Sequence, residues 1–191
     1  RSELRLRAEV EQRTRELSEQ AGRLRSANAE KTELLAELRR QAEGFERQAR
    51  EDALTGVSNR RGFDEILARE FARAQRTKTT LCLGLLDVDH FKQVNDRHSH
   101  QAGDAALKAV AATLLANCRE IDYVARFGGE EFAILLPHTA PGDASRVFER
   151  IRRAVETLSC EDFAPGLALT ASIGQADADG LAGPAALVAA A

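Results

Sequence analysis

The sequence predicts an α/β or α+β domain, with helices packed on a central sheet, preceded by a long coiled-coil helix. Three observations predict this architecture. The first 51 residues repeat their apolar positions with a heptad rhythm and contain no proline. The rest of the chain alternates amphipathic helical segments with short apolar segments typical of strands. Two of those strand-like segments flank a Gly-Gly pair, which is typical of a β-hairpin.

The composition is that of an ordinary soluble chain with one domain and an extension. Of its 191 residues, 43% are hydrophobic and 30% are charged. The net charge of -3 argues against binding nucleic acid or a membrane surface through bulk charge. The sequence has no apolar run of about 18 residues and no signal-peptide pattern. We therefore expect a cytoplasmic segment without direct membrane contact. The chain has no methionine, so we expect a processed chain or a fragment of a longer protein, in which a membrane or sensor segment can lie upstream.

The cysteines indicate neither a zinc site nor a disulfide framework. Cys82, Cys118 and Cys160 are an odd number at wide spacing, without a CxxC or Cys/His cluster. We expect buried, reduced thiols.

Residues 1–51 are predicted to pair as a parallel coiled coil. With Val10 at heptad position d, Asn28 falls at position a, where a buried Asn fixes the register and favours two parallel strands. Lys31, Gly22 and Gly44 weaken this seam, and a single solvated helix is the alternative. The seam positions are Val10, Thr14, Leu17, Ala21, Leu24, Asn28, Lys31, Leu35, Leu38, Ala42, Phe45 and Ala49.

The next segments predict a helix and a buried strand. Thr55-Gly56 breaks the first helix, and either Ser58 or Asn59 can cap the second, which reaches about Arg76. The segment TTLCLGLLDVD is almost continuously apolar, which predicts a buried central strand that ends in two acids.

The remaining segments predict a helix, a hairpin, a helix, a strand and a final helix. The segments GDAALKAVAATLLANC and GDASRVFERIRRAVETL both have apolar residues at helical spacing, which predicts two amphipathic helices. The strands DYVARF and EFAILLP flank the Gly-Gly turn. A strand in GLALTASIGQA and a helix in GPAALVAAA complete the chain.

Acidic residues stand where predicted strands end. Asp87 and Asp89 close the first strand on one face, because strand side chains alternate, and Glu130 begins the strand after the glycines. If the two strands are adjacent, two carboxylates and a backbone carbonyl offer the hard oxygen ligands that suit Mg²⁺. Gly128-Gly129 then lets the main chain approach a phosphorylated ligand. A two-residue hairpin turn with charged flanks is the alternative.

Three motifs surround these acids: DVDHFKQVND, HSHQAGD and ARFGGEEF. In the order and spacing of these motifs, the chain resembles the GGDEF family of diguanylate cyclases, which join two GTP molecules into cyclic di-GMP. The resemblance covers residues 52–191 and gives the signature loop in its GGEEF form. The matching residues are Asp52, Leu54, Thr55, Gly56, Asn59, Arg60, Arg61, Phe63, Asp87, Val88, Asp89, Phe91, Lys92, Asn95, Asp96, His100, Gly103, Asp104, Arg126, Gly128, Gly129, Glu130, Glu131, Phe132, Ser172, Ile173 and Gly174.

The resemblance implies a nucleotidyl-cyclase-like sheet, rich in antiparallel strands, and a metal site at its end. Asp87, the carbonyl of Val88 and Glu130 match ligands of Mg²⁺, for which Mn²⁺ can substitute. Glu130 also matches the base that takes the ribose 3′-OH proton, and Glu131 matches a second carboxylate near the metal. Lys92 matches a lysine that contacts phosphate and stabilises charge on the transferring group.

The resemblance also implies a guanine site. Asn95 and Asp104 match the pair that reads the base, and Gly128 and Gly129 match substrate-binding glycines. Asp104 can accept from the N1–H and N2–H₂ edge of guanine, while the Asn95 amide pairs with N3 or the amino group. Adenine presents the wrong pattern and would leave the carboxylate unpaired, which penalises ATP.

A second site implied by the resemblance lies upstream of the signature loop. Arg119 and Asp122 match the RxxD product-inhibition site, in which arginine and aspartate bind dimeric cyclic di-GMP. The planar guanidinium suits phosphate and guanine, and the carboxylate suits the guanine edge. We expect Arg73 or Arg76 of the preceding helix to assist.

The resemblance implies an enzyme that works as a homodimer. Two domains face each other, each 3′-OH attacks the α-phosphate of the partner's GTP, and pyrophosphate leaves. Residues 1–51 would tether the two GGDEF domains of residues 52–191. One alternative is a catalytically impaired module that binds GTP or cyclic di-GMP as a sensor. Another, a purely structural dimerisation segment, accounts for residues 1–51 but not for the acidic site.

Two features depart from the family pattern. Ser99 stands where the family usually has glycine, and a positive φ there would strain the serine. No lysine follows Lys108 and no arginine follows Arg153. We therefore expect a domain that stops before the family's last helix and lacks two basic contacts to the GTP phosphates.

Overall fold

The computed structural model describes residues 2–191. The side chains at 2–10, 18, 21, 26, 27, 42, 43, 47 and 48 lie outside the described residues, and so do the predicted seam positions Val10, Ala21 and Ala42. The elements are α1 (Ser2–Arg50), α2 (Arg60–Thr77), β1 (Leu81–Val88), α3 (Phe91–His98), α4 (His100–Ala116), β2 (Tyr123–Arg126), β3 (Glu131–Pro137), α5 (Pro141–Glu156), β4 (Ala171–Asp177) and α6 (Pro184–Ala190).

The chain divides into two compact units, one that ends at Arg47 and one that begins at Gln48. The first unit is helix α1, which carries large apolar side chains that face water: Leu17, Leu24, Leu34, Leu35, Leu38 and Phe45. Five of them belong to the predicted seam, and Leu34 does not. An apolar stripe of this kind is what a partner helix would cover. Pairing through this stripe stays a prediction.

The second unit is built on one four-stranded sheet in the order β2-β3-β1-β4. Every neighbouring pair is antiparallel, which confirms the antiparallel-rich sheet expected from the sequence. The hairpin of β2 and β3 is also confirmed. Strand β1 lies between β3 and β4, so its near-continuous apolar sequence reflects a central position.

Helices cover both faces of the sheet. On one face, α3, α4 and α5 pack against alternate residues of β1 and β3, among them Leu86 and Ile134. On the other face, α2 and α6 pack against the intervening residues, among them Leu83 and Leu135. This period-two division explains why both strands are apolar throughout. The central sheet with flanking helices is therefore confirmed.

The boundaries differ from the sequence predictions at two places near the end of β1. The strand ends at Val88, so Asp89 belongs to the following turn and not to the strand. The eight-residue helix α3 was not predicted, because it is too short to show a periodic pattern and begins after His90, whose φ is 56°. Of the two candidate caps of α2, Asn59 is the one that accepts a hydrogen bond, from Gly62 N at 2.9 Å.

Two further observations bear on the composition. Among the helices in the described part of the chain, none is long and apolar enough to cross a membrane. The three cysteines are free thiols. Cys82 and Cys160 are buried and Cys118 is half-buried. Burial raises the pKa of Cys82 and of Cys118 to about 11, so both stay protonated near neutral pH.

Candidate functional site

The residues predicted to bind metal lie at one end of the sheet, where β1 ends and β3 and β4 begin. Asp87 is exposed there and stands opposite Glu131 of β3 on one side and Ser172 of β4 on the other. One residue further on, Val88 N donates to Glu130 O at 3.3 Å. The adjacency of β1 and β3 that the sequence left open is thus present, and it brings the backbones of Val88 and Glu130 together.

The oxygen donors at this position fit a divalent cation. Asp87 and Glu131 are both exposed and stand directly opposite each other in an antiparallel strand pair. Two like charges in this position destabilise the strand pair unless a cation compensates them. In the described part of the chain, no three His, Cys, Asp or Glu side chains form a group that could hold a metal. The predicted set needs only two carboxylates and one carbonyl, since Mg²⁺ takes its other ligands from water and phosphate.

The signature loop, residues 127–130, joins β2 to β3 in a tight connection. Phe127 N and Gly128 N both donate to the carbonyl of Glu131, at 2.7 and 3.3 Å. A β-carbon on Gly128 would collide with the Glu131 carboxylate, whereas Gly129 faces open space. Neither is among the described glycines with positive φ. Four residues separate β2 from β3, so the connection is longer than a two-residue turn. A side chain at position 128 would require the Glu131 carboxylate to move.

Arg126 ties this loop to the turn that follows α1. Its guanidinium donates to Gly129 O at 3.0 and 2.7 Å and to the Asp52 carboxylate at 3.1 and 3.2 Å. Its own N–H donates to Ser58 O at 2.8 Å. Burial raises the pKa of Asp52, but hydrogen bonds from Thr55 and Arg126 outweigh this and leave that pKa below its ordinary value. The loop is thereby fixed by a half-buried, charge-assisted contact.

The predicted guanine-reading residues are brought together by α3 and α4. Lys92 and Asn95 are three residues apart and lie on one face of α3. A β-carbon on Gly103 would collide with the amide oxygen of Asn95, so this side chain packs on the first turn of α4. Asp104, the next residue, is exposed there, and Lys92 is exposed too. The contact places Asn95 against the turn of α4 that also carries Asp104.

Ser99, which separates these two helices, has φ 119° and ψ 161°. This region favours glycine, and the expected strain is therefore confirmed. Its hydroxyl caps α4 by accepting from Ala102 N at 3.3 Å.

Asp89 fixes the turn between β1 and α3. Its carboxylate accepts from the hydroxyls of Thr170 at 2.7 Å and Ser172 at 2.8 Å. Its N–H donates to Thr170 O at 2.9 Å. The hydrogen bond from Thr170 is the main cause that holds the pKa of the Asp89 carboxyl below its ordinary value.

The RxxD residues lie at the start of β2, whereas the signature loop follows its end. The Arg119 guanidinium donates to both Asp122 oxygens at 3.1 and 2.9 Å and to the Thr139 hydroxyl at 2.6 Å. The Asp122 side chain is only 2% exposed, while that of Arg119 is 52% exposed. The hydrogen bond that its guanidinium donates to Asp122 raises the pKa of Arg119. Of the two candidate helper residues, Arg73 pairs with Glu70 at 3.6 Å.

Sequence reasoning gave no role to the Asp52–Arg126 pair or to Asp89. An arginine two positions before the Gly-Gly pair was the available signal for the first contact. Hydroxyls at alternate positions, Thr170 and Ser172, were the signal for the second.

Two curated proteins illustrate what this chain is similar to. Diguanylate cyclase DgcP of Pseudomonas aeruginosa is 42% identical over 123 residues, which are 64% of this chain and 18% of that protein. Diguanylate cyclase DosC of Escherichia coli is 41% identical over 126 residues, 65% of this chain and 27% of that protein. The chain thus spans less than a third of each of these relatives.

Solved structures and a family model give the same assignment. The coiled coil and GGDEF domain of DgcB from Caulobacter crescentus, in complex with c-di-GMP, superposes with a TM-score of 0.79 at 32% identity, covering 87% of this chain and 88% of that one. Diguanylate cyclase SiaD of Pseudomonas aeruginosa, in complex with its activator SiaC, gives 0.68 at 35% identity, covering 93% and 71%. Residues 49–189 match the family model described as "Diguanylate cyclase, GGDEF domain". This match spans most of the sequence, and the chain therefore belongs to the GGDEF domain family.

Proposed function

We propose that this chain is a diguanylate cyclase that joins two GTP molecules into cyclic di-GMP and releases two pyrophosphates. The observation that carries the proposal is the sheet end where Asp87 faces Glu131 and Val88 N bonds the carbonyl of Glu130. Family membership and the names of the relatives support it as well. The activity belongs in the cytoplasm, which supplies GTP.

The acidic end of the sheet is the proposed catalytic centre. Asp87, the carbonyl of Val88 and Glu130 would hold Mg²⁺ or Mn²⁺, and a metal bound there neutralises charge on the GTP phosphates. Glu130 takes the proton of the attacking 3′-OH, and the new bond forms to the α-phosphorus as the bond to pyrophosphate breaks. Glu131 adds negative charge beside the metal. Lys92, exposed at the start of α3, stabilises charge on the transferring phosphate.

The pair on α3 and α4 is the proposed specificity element. Asn95 and Asp104 would read the guanine edge, and the contact of Asn95 with Gly103 supports a fixed orientation of its amide. Gly128 and Gly129 let the main chain approach the phosphates; the open space at Gly129 is consistent with this.

One domain supplies only half of the reacting groups, so we propose that the working unit is a homodimer. Residues 1–51 would pair as a parallel coiled coil, and residues 52–191 would form the catalytic domain. The exposed apolar side chains of α1 support such a pairing. Tethering raises the effective concentration of one domain near the other without any new contact.

Arg119 and Asp122 form the proposed inhibitory site for cyclic di-GMP. The exposed guanidinium supports this proposal, and a ligand that binds there would take it over from the Asp122 carboxylate.

The decisive test is incubation of the purified protein with GTP and Mg²⁺, followed by identification of the product. We expect cyclic di-GMP from the parent and a loss of about 100-fold or more for Glu130→Gln, because that change removes the base and one metal charge. Glu161→Gln, an exposed acid outside the site, is the control and should keep parental turnover. GTP binding by the parent without product would instead favour the sensor alternative.

A further inference from the structure

We infer that Asp89 is a positioning residue for the proposed metal site, where it aims the carbonyl of Val88 by holding the adjoining peptide on β4. The inference rests on the proposed function and deepens it, because it assigns a role to Asp89 and to two hydroxyls, of Thr170 and Ser172.

The direction of the Val88 carbonyl follows from the backbone hydrogen bonds. Asp89 N donates to Thr170 O at 2.9 Å, so this peptide N–H points toward β4. The described part of the chain has no cis peptide bonds, and the carbonyl of a trans peptide points opposite to its N–H. The carbonyl of Val88 therefore points toward β3. The N–H of Val88 points the same way, since it donates to Glu130 O at 3.3 Å.

The Asp89 side chain reinforces this hold on β4. Its two oxygens accept from the hydroxyls of Thr170 and Ser172, at 2.7 and 2.8 Å. Residues two apart in a strand point to one face, so one carboxylate can bridge both hydroxyls. With the backbone bond, three hydrogen bonds join Asp89 to Ser172 of β4 and to Thr170, the residue just before that strand. They fix the peptide just before His90, where φ of 56° turns the chain into α3.

The placement of these groups favours a functional role over a structural one. Thr170 and Ser172 are exposed, and Asp89 is only half-buried. Hydrogen bonds in such a place contribute little to stability, because water offers both partners a replacement. A group that orients a metal ligand, in contrast, commonly changes metal affinity about 10- to 100-fold when it is removed.

The test measures metal binding without turnover. Mn²⁺ is titrated into the full chain saturated with 3′-deoxy-GTP, which lacks the attacking hydroxyl, and free Mn²⁺ is followed by electron paramagnetic resonance. We expect Asp89→Ala to weaken Mn²⁺ binding about 10-fold or more, and the double variant Thr170→Val/Ser172→Ala, which keeps the carboxylate, to weaken it as well. Ser145→Ala is the matched control: its hydroxyl bonds Gln175 at the other end of β4, at 3.2 Å, and its removal should leave binding unchanged. Thermal unfolding should move by less than about 3 °C in all variants.

Each outcome separates the two proposals. A parent protein that binds no Mn²⁺ with the nucleotide contradicts the proposed function itself. A parent that binds, together with Asp89→Ala that binds equally well, overturns the role of Asp89 alone. Loss in Asp89→Ala with parental binding in the double variant also overturns it, because Asp89 would then act as a direct ligand. If Asp89→Ala does not fold, the double variant decides the question.

Discussion

At the scale of single residues, Ser99 holds a backbone conformation that its β-carbon disfavours. With φ at 119° and ψ at 161°, it lies in a region that glycine occupies freely. We expect Ser99→Gly to raise the free energy of unfolding by about 1 kcal/mol. The change relieves about 1–3 kcal/mol of backbone strain. This exceeds the few tenths of a kcal/mol lost with the serine cap, and it exceeds the cost of the extra conformational entropy that glycine gives the unfolded chain.

Urea unfolding of parent and variant measures this difference. Ser159→Gly, in an exposed loop without positive φ, is the control and should not gain stability. A Ser99→Gly protein less stable than the parent would show that the hydroxyl cap outweighs the strain.

The second prediction concerns Arg119. Arg119→Ala should leave the initial rate near that of the parent and relieve the slowing of the reaction as product accumulates, because the phosphate-binding fork is lost. Progress curves with known additions of cyclic di-GMP measure this. Arg146→Ala removes the arginine of a different i,i+3 pair, in which both side chains are exposed and Arg146 lies 3.1 Å from Asp143, and serves as control. Identical inhibition in Arg119→Ala and the control would refute the assigned site.

Residue types and short spacings made much of this site predictable from the sequence. Arg119 and Asp122 are three positions apart, and the structure does bring them into contact. Asp52 and Arg126 are 74 positions apart, and no periodicity connects them. Such long-range pairs follow from the fold, so their partners could not be identified beforehand.

At the scale of elements, periodicity sufficed for the long helices and for the sheet. The almost continuous apolar run of β1 predicted a central strand, and both of its faces are covered. Periodicity failed for α3, whose eight residues give too short a pattern. The predicted end of β1 was one residue too late. Asp89 continues the strand pattern in the sequence, but it lies in a turn, where its carboxylate accepts hydrogen bonds from Thr170 and Ser172.

The third prediction tests the contact that joins the turn after α1 to the signature loop. The pKa of Asp52 lies below its ordinary value of 3.8, so its bonds contribute fully above that pH and are lost as pH falls through the lower folded pKa. Asp52→Asn should therefore be less stable than the parent at pH 7, and the difference should shrink below pH 3.8.

Urea unfolding at a series of pH values measures both effects. Asp64→Asn removes an exposed carboxylate, 3.3 Å from Arg60, and its stability should stay within about 1 kcal/mol of the parent. A constant gap between parent and Asp52→Asn down to the lowest pH would mean that the charge of Asp52 is unimportant.

At the scale of the whole molecule, the fourth prediction concerns the assembly of two chains. Replacing Leu24 and Leu38 with Glu would bury unpaired charge in the predicted seam, and separation of the helices is the less costly outcome. Specific activity should then fall and depend steeply on protein concentration, while GTP binding per chain persists. Light scattering and rate over one dilution series measure this.

The matched control places the same charges on the outer face of α1. Ala29→Glu/Ala36→Glu alters two exposed b positions and should remain dimeric and active. A Leu24→Glu/Leu38→Glu protein that stays dimeric and active at low concentration would show that the catalytic domains hold the dimer together without the helix. Heptad spacing predicts such a seam, but only a second chain can cover it, so pairing lies beyond what one chain determines.

The closed Arg119–Asp122 contact has a consequence for the concentration at which product would stop the reaction. A ligand that takes over this guanidinium must first displace an internal competitor, the carboxylate of Asp122, which is almost fully shielded from water. Its apparent dissociation constant equals the intrinsic one divided by the fraction of molecules in which the arginine is released. If Arg119 binds product as proposed, the inhibitory threshold is set by the chain as well as by the ligand. Weakening the hold of Asp122 or Thr139 on Arg119 would then make the proposed cyclase respond to less product.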